Sequence, residues 1–338
     1  MKNKKIKLSD VARELNVSVS LVSLVMSGKW KDNRISEKLS EKVLKTAKEM
    51  GYQPNTTARA LRTGKSGVIG LVVADISNPF YGKIARTIEN EASKYGYQLM
   101  FGSSDEKLSK FKLIVDTLIS RQVDGLIVVP VNGSEKFLEQ KHKQGVPIVL
   151  VDRNFENTKL PYVVDDGIYG GEQLTRLLLN KGLNKVATVV FESELSNYKE
   201  RVEAFVNTVK FEKSGKIESV IIEVPSDKYE DILEKKILQA IKNNVKGFFF
   251  TQNKIGIEGI KIFRKNNIKI PEDVAIVSYD NPEIFELGSP TISCYQQSID
   301  EISYHTVSII SKLLNNDKYT NAQLRIKGTH IERESTDF

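Results

Sequence analysis

The 338-residue sequence predicts an α/β protein, with a two-lobed body of parallel sheets behind a small all-α module at the N-terminus. Three observations predict it. From Val68 onward, strand-like apolar runs alternate with amphipathic stretches of helix length. Three short capped helical patterns fill the first 52 residues. The charge divides at nearly the same place. Residues 1–66 carry 15 Lys and Arg against 6 Asp and Glu, whereas the other 272 carry 35 against 37. Such asymmetry points to a polyanion-binding module on a near-neutral body.

In the basic part, the first helix is expected to open at Ser9 as N-cap and to place Val11, Ala12 and Leu15 on one face. The third opens near Ser36, places Leu39, Val43, Ala47 and Met50 on one face, and closes at Gly51. Between them "NVSVSLVSLVMSG", Asn16 to Gly28, starts with strand-like alternation and continues with helical spacing. A strand there has no strand-like neighbour to pair with. A helix capped by Ser18 and closed at Gly28 buries Val19, Val22, Val25 and Met26 and leaves Ser20, Ser23 and Leu24 outward. Helix, tight turn at Asn16-Val17, helix and third helix make a helix-turn-helix arrangement. Small outward side chains let a backbone approach DNA, and surrounding lysines meet phosphates. The same pattern also fits a three-helix bundle that binds a protein.

Next comes "YQPNTTARALRTGKS". Pro54 stops the third helix and Asn55 can cap a short one over Thr56 to Leu61, too short to be stable alone. Its "GKS" lacks the earlier glycine of a phosphate loop.

The body's expected strands are "VIGLVVAD", "YQLMFGSS", "DGLIVVPV", "PIVLVD", "YVVDD", "KVATVVF", "IESVIIEV", "GFFFT" and "DVAIVSYD". Helices are expected at 80–95, 105–121, 198–213 and 254–267, among others. Ligands of open α/β sheets bind beyond the carboxyl ends of strands, where this sequence carries Asp75, Asp152, Asn253 and Asp280. Cys294 is the sole cysteine, so no internal disulfide forms. His142, His305 and His330 are scattered without metal-ligand spacing. No cofactor or metal is expected, and no nucleophile elbow or dinucleotide fingerprint suggests an enzyme. The basic start "MKNKKIKLSD" is followed by no apolar signal region, and the longest apolar runs are too short to span a bilayer. A cytoplasmic location without membrane attachment is therefore expected.

Taken together, these motifs resemble those of the lactose/galactose-repressor (LacI/GalR) family of transcription regulators. "LSDVARELNVSVSLVSLVMSG" is similar to that family's helix-turn-helix and "YQPNTTARALRTGKS" to its hinge. "IGLVVADISNPFY", "VDGLIVVP", "VPIVLVDR", "IPEDVAIVSYDN" and the "RES" of "IERESTDF" are similar to its core. The resemblance implies a headpiece over 1–52, a hinge helix or linker over 53–66 and a periplasmic-binding-protein-like body over 67–338. In that body, lobe 1 takes about 67–165 plus 294–325, and lobe 2 about 166–293 plus 326–338.

By position in the family's motifs, Ser18, Val19, Ser20, Ser23 and Leu24 belong to the DNA-recognition helix. Leu61 is the hinge leucine that wedges into the minor groove, flanked by Ala58, Arg59 and Arg62. Ser9 and Asn55 complete the candidate DNA contacts. Asn78, Phe80, Tyr81, Asp152, Arg153, Arg201, Asn253 and Asp280 are the candidate effector contacts.

The partners so implied are double-stranded DNA with a pseudo-palindromic operator, a small effector that is most simply a carbohydrate, and a second copy of the chain. The function implied is repression, with a sugar-binding transport-type protein as the rival reading. The sequence departs from the family at several places. Leu24 stands where many relatives have an arginine that reads a base. The "KWKDNR" segment is longer than the usual turn. Lys254 and Asn281 replace usual aspartates, and no effector-capping aromatic lies near Pro225.

Overall fold

In this computed structural model the described residues are 6–52, 64–212, 217–315 and 323–337. The chain divides into two units between Ser66 and Gly67. The hinge candidates Asn55, Ala58, Arg59, Leu61 and Arg62 lie outside the described residues.

The first unit is three helices: α1 (Leu8–Glu14), α2 (Val19–Met26) and α3 (Glu37–Glu49). They close on Val11, Ala12, Val22, Val25, Val43 and Ala47, all buried. The stretch with two readings is a helix. Asn16 takes a left-handed backbone (φ 52°), and the Val17 N–H donates to the Ala12 carbonyl at 3.0 Å. Ser18 Oγ then accepts the Leu21 N–H at 3.1 Å, so the initial alternation belongs to the turn and cap. Gly51 ends α3 at φ 70°, a region open to glycine because it has no Cβ. Trp30, within the long 29–34 connection, packs against this core.

Two expectations fail here. Ser9 is not the N-cap of α1; Lys7 is, and its N–H donates to the Asp10 carboxylate at 2.9 Å. Asp10 supplies the acceptor that Ser9 was expected to supply. Val19 is not buried either, being 47% exposed. Side chains tilt toward a helix's N-terminus, so this first-turn residue overhangs the helix end. Half-buried Leu21 packs against the core instead.

In the second unit, the first sheet gathers β1 (Val68–Val73), β2 (Gln98–Ser103), β3 (Gly125–Val128), β4 (Ile148–Val151) and β5 (Tyr162–Asp165). Helices α4 (Pro79–Lys94), α5 (Leu108–Ser120) and α6 (Glu135–Lys143) connect the first four strands. After α7 (Gly167–Leu179) a second sheet gathers β6 (Lys185–Phe191), β7 (Glu218–Val224), β8 (Gly247–Phe250) and β9 (Ala275–Tyr279). Its connections are α8 (Ser196–Phe211), α9 (Glu230–Lys242) and α10 (Asn253–Lys265). The short α11 (Ile284–Leu287) precedes β10 (Ser293–Gln296) in that sheet. Then α12 (Ile299–Leu314) and β11 (Gln323–Ile326) return to the first sheet, and β12 (Thr329–Ile331) ends in the second.

The orders are β11-β5-β4-β3-β1-β2 and β12-β10-β9-β8-β6-β7. All neighbours are parallel except β10 and β12. Every residue of β3, β4, β8 and β9 is buried, as parallel strands covered on both faces require. All nine expected strands are present. The lobe boundary at 294 is corrected: Cys294 pairs with Ser278 of β9 and Ile331 of β12. The chain therefore stays in the second lobe through Gln296.

In each sheet the strand order reverses beside the first strand, between β1 and β3 and between β6 and β8. Crevices for ligands open at such switch points, outside the strands' carboxyl ends.

Candidate functional site

Polar groups gather in two places. In the first unit, α2 carries no charged side chain. Val19 and Ser20 are exposed on it, and Ser23 and Leu24 are half-buried. Exposed Arg13, Lys29, Lys31 and Arg34 lie on the neighbouring segments. No carboxylate occupies the first turn of α2, whose partly positive N-terminus is capped by the neutral Ser18 hydroxyl alone.

In the second unit a cavity of about 420 Å³ lies between the sheets. It is built from strand ends: Asp75 follows β1, Glu106 follows β2, Asp152 follows β4, Glu192 follows β6, Gln252 follows β8 and Asp280 follows β9. Seven of the eight expected effector contacts line it: Asn78, Phe80, Tyr81, Asp152, Arg153, Arg201 and Asp280.

Asp152 and Asp280 occupy equivalent places in the two lobes, each after the fourth strand of its sheet in chain order, β4 and β9. Both hold left-handed backbones, φ 68° and φ 66°. This is uncommon for a side-chain-bearing residue and gathers at functional sites. Tyr81 Oη donates to Asp152 Oδ2 at 3.0 Å, and Gln297 Nε2 donates to Asp280 Oδ1 at 2.7 Å. Burial pushes both carboxyls above the ordinary carboxylate range, and nearby guanidinium groups oppose the rise.

The two arginines do different work. Arg153 donates to both Glu106 oxygens, at 2.9 and 2.7 Å, and lies between the rings of Tyr81 and Tyr198, 6.0 and 5.7 Å from their centroids. The paired fork is committed to Glu106, and the Nε lies 3.4 Å from Asp152 Oδ2. Arg201 is 3% exposed and stacks 3.5 Å above the Tyr279 ring. Its Nη1 donates to the Thr251 carbonyl at 2.7 Å. Its buried Nε finds no hydrogen-bond partner among the described residues, nor do Arg153 Nε, Asn197 Oδ1 and Gln297 Oε1. All four residues line the cavity, and buried polar atoms of this sort are normally paired.

Asn253 stands apart. Its Nδ2 donates to Asn78 Oδ1 at 2.9 Å, and it lines a second cavity of about 820 Å³ rather than the first. Behind the cavity, Tyr279 Oη donates to Asp165. Burial raises that carboxyl to about 7.

Glu106, Phe191, Asn197, Tyr198, Gln252 and Gln297 line the cavity as well, beyond the residues expected from sequence. Gln252, Gln297 and Glu106 sit just past strand ends, where the carboxyl-end rule could have found them. Asn197 and Tyr198 open a helix and carried no signal. The aromatic walls absent near Pro225 are supplied by Phe80, Phe191 and Tyr198. Carboxylates that accept, a guanidinium that donates and flat apolar rings can together grip a small polyhydroxylated molecule. Among the described residues, no acidic, histidine or cysteine cluster could hold a metal. Nor is any helix there long and apolar enough to cross a membrane.

Residues 7–55 match the bacterial regulatory proteins of the lacI family, and residues 175–336 match the periplasmic binding protein-like domain. The chain is 30% identical over 300 residues to the HTH-type transcriptional regulator DegA of Bacillus subtilis, covering 87% of each chain. It is 29% identical over 334 residues to the HTH-type transcriptional regulator RegA of Clostridium saccharobutylicum, covering 97% of this chain and 98% of that one. Among solved structures, the fold is similar to a periplasmic binding protein/LacI transcriptional regulator from Alkaliphilus metalliredigens complexed with D-xylulofuranose. The TM-score is 0.71 at 24% identity, covering 80% of this chain and 98% of that one.

Proposed function

The chain belongs to the lacI family of bacterial regulatory proteins, and from that premise we propose that a small carbohydrate bound between the body's lobes controls how tightly its headpiece holds operator DNA. It is a DNA-binding transcriptional regulator, not an enzyme. The observation that carries the carbohydrate reading is the cavity itself. Asp152 and Asp280 supply acceptors, Arg201 offers an unpartnered donor, and Phe80 and Tyr198 offer ring faces. The D-xylulofuranose of the Alkaliphilus protein supports the same ligand class.

In this reading α2 enters the major groove. Val19, Ser20, Ser23 and Leu24 face base edges, while Arg13 and Lys29 meet phosphates. Leu24 makes apolar contact where an arginine would read a guanine. The chain acts in the cytoplasm as a homodimer on a pseudo-palindrome whose half-site centres lie ~10 bp apart. The effector acts by differential affinity for two lobe arrangements, since equal affinity would shift nothing.

A thermal-unfolding screen with pentoses, hexoses and disaccharides tests this. A sugar present at about 100 times its Kd should raise Tm by roughly 5 °C. If no sugar shifts Tm but purines or sugar-free anions do, the carbohydrate reading is wrong.

A further inference from the structure

Asn78 and Asn253 touch each other across the cleft. They lie at the starts of α4 and α10, the helices that follow the interior strands β1 and β8 of the two sheets. Asn78 Oδ1 accepts the Phe80 N–H of its own helix at 3.1 Å and the Nδ2 of Asn253 at 2.9 Å. Asn253 Oδ1 accepts the Lys254 N–H of its own helix at 2.7 Å and the Nδ2 of Asn78 at 3.4 Å. Asn78 thus caps its own helix, Asn253 stands as the first residue of its helix, and each carboxamide donates to the oxygen of the other. Helix N-termini carry partial positive charge and repel one another when they converge, so two carboxamide oxygens placed between them offset that repulsion.

The pair also separates two spaces. Asn78 lines the cavity of about 420 Å³ and Asn253 the one of about 820 Å³, while Phe80, Asp280 and Gln297 wall both. Asn253 is 3% exposed, with its oxygen and its nitrogen both engaged, so it has little left to offer a ligand.

We propose that Asn78 and Asn253 form a ligand-independent latch: they are positioning residues that hold the lobes closed and partition the cleft, and they set the effector's affinity by setting closure. The inference deepens the cleft reading above, but its test needs no ligand, so its failure leaves that reading standing.

The test uses aspartate, which at position 78 caps the helix as well as asparagine does and at position 253 keeps an oxygen for the Lys254 N–H. Asn78→Asp keeps the shorter bond, from Asn253 Nδ2, and Asn253→Asp keeps the donor Asn78 Nδ2 to turn toward the new carboxylate, so in either single variant one amide donor remains and the latch holds. In the double variant two carboxylates meet at hydrogen-bonding distance with no donor between them, and like charges there repel strongly. Spin labels at Lys136→Cys and Lys235→Cys, exposed on α6 and α9, report lobe separation in the full chain; Cys294 is buried. The expected result is a closed distance distribution in the parent and both single variants. The double variant should be opened, with its closed-to-open ratio at least ~10-fold lower. Lowering the pH should reclose it in part, because one carboxyl of a close pair protonates readily. A double variant as closed as the parent overturns the latch. So does a single variant as open as the double, since that would make the asparagines ordinary helix-terminal residues with independent effects.

Discussion

Arg201→Ala is expected to lower the stability of the body by about 3–5 kcal/mol, the usual cost of stripping a buried charge cluster of one partner. Arg201 makes no contact within ion-pair range of Asp280 among the described residues, so the loss is not that of a surface salt bridge. Its guanidinium instead lies flat on the Tyr279 ring and lowers the pKa of three buried carboxyls at once, Asp152, Asp165 and Asp280. Without it these groups face one another with less compensation. Protonation relieves that repulsion, so the loss should be larger at pH 8 than at pH 5. Arg201→Lys should recover part of the stability, because it restores the charge but not the planar stacking. Urea unfolding of the full chain at the two pH values measures this. A loss below about 1 kcal/mol at both would show that Arg201 is not the cluster's counterweight. Arg201 is thus a structural cation whose free Nε also faces the cavity, so its substitution affects fold and ligand response together.

Asp165→Asn is expected to work in the opposite direction. Asp165 is 5% exposed, and burial raises its carboxyl from 3.8 to about 7 despite the Tyr279 hydroxyl and Arg201. The folded chain therefore holds this proton more tightly than the unfolded chain. The group's contribution to stability is full below its unfolded pKa of 3.8 and is lost as pH rises through about 7. By pH 8 the penalty amounts to about 4 kcal/mol. The asparagine keeps an acceptor for Tyr279 and removes the charge. Its NH₂ takes the place of Oδ1, which has no partner among the described residues, and an unpaired buried amide costs about 1–3 kcal/mol. The net gain should be about 1–3 kcal/mol at pH 8 and should vanish by pH 5. Unfolding of the parent and the variant from pH 5 to 8 checks the sign: a variant that gains nothing as pH rises would place Asp165 in an unstrained, solvated setting.

The strands were legible because parallel strands buried on both faces read as unbroken apolar runs. "GLIV", "IVLV" and "GFFF" could be little else. The carboxyl-end rule then located Asp152 and Asp280 without any contact being known. What stayed hidden depends on groups distant in sequence. The fork of Arg153 is held by Glu106, 47 positions away, so Arg153 reads as a ligand contact in sequence and is largely engaged by an ion pair in space. Asn253 likewise reads as a ligand contact but meets Asn78, 175 positions away. The expected lobe boundary at 294 cuts through strand Ser293–Gln296, because its pairing with β9 and β12 leaves no mark on its own residues. Val19 was misplaced by one helical turn's geometry, since periodicity does not tell where a helix overhangs its neighbours.

The most direct test of control from the cleft is a fluorescence-anisotropy titration of the full chain against the DNA upstream of its own gene. It is run with and without the sugar that raises Tm most, on the parent and on Asp280→Asn. The sugar should change the parent's Kd for DNA by at least about tenfold, a coupling of roughly 1.4 kcal/mol. Asp280→Asn should need about tenfold more sugar for the same change, having lost a charge-assisted hydrogen bond. A sugar that stabilises the body yet leaves the Kd for DNA unchanged would contradict control from the cleft, and so would an Asp280→Asn chain that responds at the parent's sugar concentration.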